Sequence, residues 1–193
     1  MLVLTALPVV ASDYPAPTEG DWIVRDFRFH TGEVLPELRI HYATVGAPTG
    51  EPVLILHGTT QSGSSMLSPV FAGELFGAGQ PLDASRYYVI LPDAIGHGKS
   101  SKPSDGLRTR FPKYNYDDLV EAQFRLLTEH LGVRRVRLVL GFSMPVTVVT
   151  VAGEPGLEQL DTLAQRPAAE PPRLAGRAGS LARSFKTWNA RAS

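Results

Sequence analysis

Three short, continuous apolar runs constrain the fold of this chain more than any other feature. They lie at residues 52–57, 87–92 and 136–140. Runs of this kind are typical of strands that are covered on both faces, as in a parallel sheet between layers of helices. Between the second and third runs, residues 117–131 carry apolar side chains at helical spacing, and Gly132 follows where a helix would end. The order of elements therefore predicts strands joined by helical crossovers.

The segment before these runs predicts an antiparallel hairpin. Residues 22–29 and 38–45 both alternate between apolar and polar side chains, and the turn signal Thr31-Gly32-Glu33 separates them. The alternation places Trp22, Val24, Asp26 and Arg28 on one face of the first strand and Ile23, Arg25, Phe27 and Phe29 on the other. A weaker helix candidate covers residues 66–76. The predicted fold class is α/β, with an N-terminal hairpin followed by a mainly parallel sheet, flanking helices and an irregular C-terminal tail.

The chain divides into three parts. Residues 1–20 begin with an apolar, signal-like segment and continue as a Pro- and acid-rich linker. Residues 21–150 form the predicted domain. Residues 151–193 are rich in Ala, Gly, Pro and Arg and are predicted to be a disordered, low-complexity tail. Export to the periplasm or medium is expected if the first segment is a remnant signal, and a cytoplasmic location otherwise.

Composition excludes several classes of protein. The 19 Lys and Arg balance the 19 Asp and Glu, which argues against a nucleic-acid partner, since such a partner favours a basic surplus. Without Cys there is no disulfide framework, thiolate zinc site or cysteine nucleophile. The sequence shows no apolar run of about 18 residues, so we expect no membrane span. We also predict no cofactor and no metal, while the oligomeric state stays open.

Three segments at the carboxyl ends of the predicted strands contain the motifs that point to chemistry. They are residues 57–60, 93–101 and 141–144. Ligands of open α/β sheets lie beyond these strand ends, so we expect the three segments to meet at one site. The middle segment lacks the spacing of a phosphate-binding loop, which weakens the interpretation as a nucleotide-binding protein.

Gly141-Phe142-Ser143-Met144 has the pattern that begins a nucleophile elbow. A sharp turn at a strand end would expose the hydroxyl of Ser143 and direct the next backbone N–H toward a developing oxyanion. That donor would be the N–H of Met144. The loop after the first apolar run should supply a second donor, and the N–H of Thr59 is the candidate. His57 is expected to shape this loop rather than to act as a base.

A wider set of motifs accompanies these segments. They are Leu56-His-Gly-Thr-Thr60, Gly77-Ala-Gly-Gln-Pro-Leu-Asp83, Arg86-Tyr-Tyr-Val-Ile90, Pro92-Asp-Ala-Ile-Gly-His-Gly-Lys-Ser100, Asp117-Asp-Leu-Val-Glu-Ala-Gln123, Leu131-Gly-Val133 and Gly141-Phe-Ser-Met144. Residues 22–144, about two-thirds of the chain, thereby resemble the first half of an α/β-hydrolase. The similarity is closest to the homoserine O-acetyltransferase-like branch of that superfamily. It implies a serine nucleophile at Ser143, an acyl-enzyme mechanism and a small-molecule ester or acyl donor, and it gives His97 a structural position.

The sequence departs from the family pattern after Met144. The family continues with Gly-Gly, whereas this chain has Pro145 and Val146. A proline disfavours the helical conformation of the residue before it, and residues 146–151 are a β-branched run that prefers a strand. The family would have an amphipathic helix here. This abrupt change leads us to expect a truncated or frame-shifted form of a longer acyl-transfer enzyme.

The catalytic acid and base of the family follow the serine in the chain. All five His of this chain precede Ser143, and Asp161 is the one Asp after it. The sequence therefore predicts a serine hydrolase or O-acyltransferase of the α/β-hydrolase type that is inactive in this truncated form. The alternative is a non-catalytic fold fragment. Hydrolysis and acyl transfer to an acceptor are both left open.

Overall fold

The computed structural model describes residues 13–143 and 146–151, and residues 142, 143 and 146–151 by their backbone alone. The predictions for the signal-like start, for Met144 and for the tail lie outside the described residues. Within them, six strands form one sheet in the order β1-β2-β4-β3-β5-β6. The strands are β1 Thr18–Arg28, β2 Val34–Val45, β3 Glu51–Leu56, β4 Tyr87–Pro92, β5 Leu138–Ser143 and β6 Val146–Val151.

The centre of the sheet is parallel, as the three apolar runs predicted. Strand β3 lies between β4 and β5 and runs parallel to both. Strand β2 pairs with β4 in antiparallel orientation, and β1 forms a hairpin with β2. Strand β6 pairs with β5, also in antiparallel orientation. The result is a partial α/β-hydrolase fold with a mixed sheet, in which the predicted parallel strands form the central part.

Both faces of β3 are buried, which explains its continuous apolar sequence. Val53 and Ile55 pack into one cluster with residues of the 66–91 segment, whereas Leu54 points to the opposite face. There it meets Tyr88 and Ile90 of β4 and Leu127. Successive side chains of a strand alternate between faces, so a strand between two apolar layers needs apolar residues at every position.

The hairpin forms as predicted, but the expected face assignment for β1 is wrong in its second half. Val24 and Phe27, which strict alternation places on opposite faces, are both buried in the same cluster. Between them Asp26 has a φ of +48°. This left-handed residue interrupts the extended backbone and resets the alternation, so that Phe27 joins Val24 in the core.

The predicted helix at residues 117–131 is confirmed. Helix α2 runs over Tyr116–Arg125 and continues as a π-helical turn, Leu126–His130. Gly132 follows with a φ of +68°, the left-handed conformation that commonly ends helices. The weaker candidate at residues 66–76 gives only a 3-10 turn and the single-turn helix α1, Ala72–Leu75.

A buried carboxylate fastens helix α2 to the hairpin. Asp118 is 3% exposed, and its Oδ1 accepts a hydrogen bond from the backbone N–H of His30 at 2.7 Å. Its Oδ2 lies 2.7 Å from His30 Nδ1 and accepts from the N–H of Asn115 at 2.8 Å. The side chain of Asn115 in turn caps the helix by accepting from the N–H groups of Asp117 and Asp118.

Replacing Asp118 with Ala should lower the free energy of unfolding by about 2–4 kcal/mol, because it leaves several donors without an acceptor. Asp117→Ala is the matched control, since Asp117 is exposed and its carboxylate accepts no hydrogen bond from the described residues. Its cost should stay below about 1 kcal/mol, the scale of a helix-dipole interaction. Urea unfolding of both variants measures the difference, and equal costs would contradict the role given to Asp118.

Candidate active site

The ends of β3, β4 and β5 bring the three predicted segments to one edge of the sheet. Leu56 at the end of β3 pairs with Gly141 of β5. The loop that starts at His57 therefore leaves the sheet beside Phe142 and Ser143. The loop that follows Pro92 emerges on the other side of β3, because β4 is also parallel to it. The parallel pairing thus places these segments together as the sequence predicted.

The loop after β3 is a β-turn with two uncommitted backbone donors. Gln61 donates its N–H to the carbonyl of Gly58 at 3.0 Å, and the side-chain Oε1 of Gln61 accepts the N–H of Gly58 at 3.2 Å. Within the described part of the chain, the N–H groups of Thr59 and Thr60 have no acceptor. Both residues are exposed. A turn that presents free N–H groups at a strand end is able to bind a carbonyl oxygen or an oxyanion.

His57 supports this turn, and both of its ring nitrogens have hydrogen-bond partners. Its Nδ1 lies 2.8 Å from the carbonyl of Gly58, and its Nε2 accepts the N–H of Ala94 at 2.9 Å. One nitrogen must donate and the other must accept, which defines the neutral ring with its proton on Nδ1. Burial lowers the pKa of the His57 imidazole, and the nearby His97 ring acts in the same direction. His57 is therefore occupied with shaping the loop, as expected.

The carboxylate of Asp93 organises the loop after β4. It is 3% exposed; Oδ1 accepts the N–H of Gly63 at 2.6 Å, and Oδ2 accepts the N–H of Lys99 at 2.7 Å. Gly98 has a φ of +50°, and a Cβ on it would overlap Oδ2 of Asp93. The Asp-x-x-Gly-x-Gly-x-Ser pattern thus encodes a tight loop around a buried carboxylate.

The serines at the end of this loop connect it to β2. Ser100 is fully buried; its Oγ accepts the N–H of His41 at 2.9 Å and donates to the carbonyl of Asp93 at 2.8 Å. Ser101 exchanges hydrogen bonds with the backbone of Arg39, each 2.9 Å long. Both hydroxyls therefore form hydrogen bonds with backbone groups and have a structural role.

Ser143 is the last residue of β5, and the chain returns beside it as a strand. Ser143 pairs with Val146 of β6 in the antiparallel register. The helix that the family resemblance implied after the serine is therefore replaced by a strand, in agreement with the β-branched sequence of residues 146–151. The strand-to-helix turn of a nucleophile elbow is absent from the described residues at this position. The roles of Ser143, Thr59 and Met144 stay predictions.

The remaining histidines have partners elsewhere. His30 contacts Asp118, His41 lies 2.9 Å from Oδ1 of Asp21, and His130 lies 2.8 Å from the hydroxyl of Tyr42. His97 differs, because its Nε2 lies 2.6 Å from the carbonyl of Thr59 in the candidate oxyanion loop. Neither this contact nor the contribution of Gln61 was predicted from the sequence. No motif signals either one, since both depend on how two loops fold against each other.

The described residues contain no cluster of three or more His, Asp or Glu side chains that could hold a metal ion. Among the same residues, none of the helices has the length and apolar character needed to cross a membrane.

Gly98→Ala should destabilise the protein by about 1–3 kcal/mol more than Gly32→Ala. Both glycines have positive φ, so both variants carry the cost of a left-handed alanine. A Cβ at Gly32 meets nothing within 4 Å, whereas a Cβ at Gly98 overlaps the Asp93 carboxylate. The difference in the free energy of unfolding between the two variants, measured with urea, gives the cost of the overlap. Similar stabilities would show that Asp93 does not constrain the loop.

The neutral state of His57 predicts a pH dependence of stability. Burial holds the pKa of His57 in the folded protein below its unfolded value of about 6.5. The unfolded chain then binds more protons, so this stability is present above pH of about 6.5 and is lost as the pH falls toward the folded pKa. Urea unfolding between pH 5 and 8 measures the free energy of unfolding of wild type and of His57→Gln. The advantage in this free energy that wild type has over His57→Gln should shrink as the pH falls. An advantage that grows toward low pH would contradict the assignment.

Comparison with known proteins agrees with this architecture. The sequence model of the alpha/beta hydrolase fold family matches residues 51–145. Homoserine O-acetyltransferase of Haloferax prahovense is 34% identical over 139 residues, covering 63% of this chain and 33% of that protein. Serine O-succinyltransferase of Emericella nidulans is 36% identical over 141 residues, covering 61% of this chain and 27% of that protein.

The solved structure of the acetyl esterase MekB superposes with a TM-score of 0.56 and 26% identity, over 64% of this chain and 36% of that one. The chain spans about a third of the length of the curated relatives named above. The parallel sheet and the loop built on Asp93 agree with these matches: residues 51–145 fit the alpha/beta hydrolase fold family, and the chain is similar to homoserine O-acetyltransferases.

Proposed function

We propose that this chain carries the nucleophile and oxyanion loop of a serine-dependent acyl-transfer enzyme. The observation that supports this most directly is the register of β3 and β5, in which Leu56 pairs with Gly141. This register makes the strand that ends at Ser143 the neighbour of the strand that leads into the turn with free backbone donors. The substrate is a small-molecule ester or acyl donor, a class suggested by the acetyl- and succinyltransferase relatives and by the acetyl esterase of similar fold.

In the proposed reaction, Oγ of Ser143 forms a bond to the carbonyl carbon of the donor. The bond from that carbon to the leaving oxygen or sulfur breaks, and the serine proton passes to the leaving group. Water or an acceptor hydroxyl then takes the acyl group and restores the serine. The N–H groups of Thr59 and Met144 are the proposed donors to the oxyanion, and loss of one such donor typically costs 10²–10³ in kcat.

Acylation by this chain should be slow. All five His precede Ser143, and His57 has both ring nitrogens committed. A serine hydroxyl without an adjacent base is a weak nucleophile, so water must carry the proton. The inactivity expected from the sequence stays a prediction for turnover, and the activity proposed here is a measurable acylation of the serine.

A non-catalytic fold fragment is the second candidate. Strand β6 favours it, because its pairing with β5 leaves two residues between Ser143 and Val146. In an α/β-hydrolase elbow the chain enters a helix after the nucleophile, and the following N–H faces the oxyanion. A hairpin at this position provides no such helix.

Acylation by p-nitrophenyl acetate distinguishes the two candidates. The full chain should release p-nitrophenol in a slow burst of at most one equivalent, and Ser143→Ala should abolish it, because the acyl group is held on that oxygen. Ser104→Ala is the matched control, since Ser104 is exposed and lies in the 3-10 turn Pro103–Asp105. It should keep the full burst.

A burst of equal size in wild type and Ser143→Ala would contradict the proposal, and so would the absence of any burst from the folded wild type. Either result would favour the non-catalytic fragment. Circular dichroism of each variant confirms that a lost burst reflects lost chemistry rather than lost folding.

A further inference from the structure

Two imidazole rings hold two successive carbonyl groups of the turn after β3. His57 Nδ1 contacts the carbonyl of Gly58 at 2.8 Å, and His97 Nε2 contacts the carbonyl of Thr59 at 2.6 Å. The second contact joins the loop after β4 to the loop after β3. The two rings lie 5.3 Å apart between centroids, at an angle of 55°. Both rings therefore stabilise the same turn through contacts with its carbonyl groups.

A trans peptide is planar, so its carbonyl and its N–H point in opposite directions. Holding the carbonyl of Gly58 therefore sets the direction of the N–H of Thr59. Holding the carbonyl of Thr59 sets the direction of the N–H of Thr60 in the same way. Within this turn, these two N–H groups have no acceptor among the described residues.

The peptide between Thr59 and Thr60 is the central one of the turn that Gly58 and Gln61 close. β-Turn types I and II differ by a reversal of this peptide, and type II needs a positive φ at the third residue. Thr60 is not among the non-glycine residues with positive φ. The carbonyl of Thr59 thus keeps the orientation that meets His97, while the N–H of Thr60 points the opposite way.

We propose that His97 is a positioning residue for the oxyanion loop, which it serves by donating from Nε2 to the carbonyl of Thr59 and so orienting the N–H of Thr60 as a second loop donor. This inference rests on the proposed acylation of Ser143 for its functional part. Its structural part, the orientation of the turn, stands by itself. His97 touches no substrate in this role and transfers no proton.

Two substitutions separate the hydrogen bond from the bulk of the ring. His97→Phe keeps an aromatic ring against His57 but removes the N–H. His97→Gln restores a donor at a similar reach, because its amide nitrogen can replace Nε2. His130→Phe is the matched control, since His130 is exposed and its described contacts are with Trp22 and Tyr42 of the hairpin.

The rate constant of acylation by p-nitrophenyl acetate should fall about 10- to 100-fold in His97→Phe, the range expected when a donor is misplaced. The substrate concentration at half-maximal rate should change little. His97→Gln should recover most of the rate, and His130→Phe should retain it. If Ser143 is acylated and His97→Phe reacts like wild type, the positioning role is wrong while the proposed function stands.

Amide NMR tests the inference even if Ser143 proves unreactive. His97→Phe should shift the ¹⁵N and ¹H resonances of Thr60 and speed its hydrogen exchange, and His97→Gln should return both toward wild type. Unchanged Thr60 signals in folded His97→Phe would overturn the positioning role. A missing burst with a shifted Thr60 would instead refute the proposed function and leave the turn geometry supported.

Discussion

The parallel pairing of β3 with β4 and β5 is the constraint on which the candidate site depends. Three strands that end at the same edge deliver three loops to one place. The pairing is stabilised by burial of both faces of β3, whose Val53, Leu54 and Ile55 are fully buried. A shift of one residue in either register would turn these side chains to the wrong faces and separate the loops.

Polar groups then determine the shape of each loop. The carboxylate of Asp93 accepts N–H groups from both sides, and Ser100 bonds the same loop to β2. His57 connects the loop after β3 with that after β4, through Gly58 and Ala94. A buried donor or acceptor without a partner costs about 1–3 kcal/mol, so this arrangement is strongly favoured over alternatives. These hydrogen bonds favour the conformation that the turn at Thr59 adopts.

Much of this fold could be predicted from the sequence. Apolar runs identified β3 and β4 closely, because burial on both faces leaves a clear signal, and helical spacing located α2. The reversal of alternation at Asp26 could not be predicted, since nothing in the local sequence signals its positive φ. For the site, the motifs located the three loops. The contact from His97 to Thr59 needed the tertiary arrangement, because residues 38 positions apart meet only once both loops are folded.

We propose that Ser143 is a nucleophile at the end of β5, near the turn of Thr59. A fluorophosphonate tests it most directly, because the serine oxygen bonds to phosphorus while fluoride leaves with the proton. Peptide mass spectrometry of the labelled full chain should locate the adduct on Ser143. An unlabelled chain, or a label on another serine such as Ser64 with none on Ser143, would contradict the account.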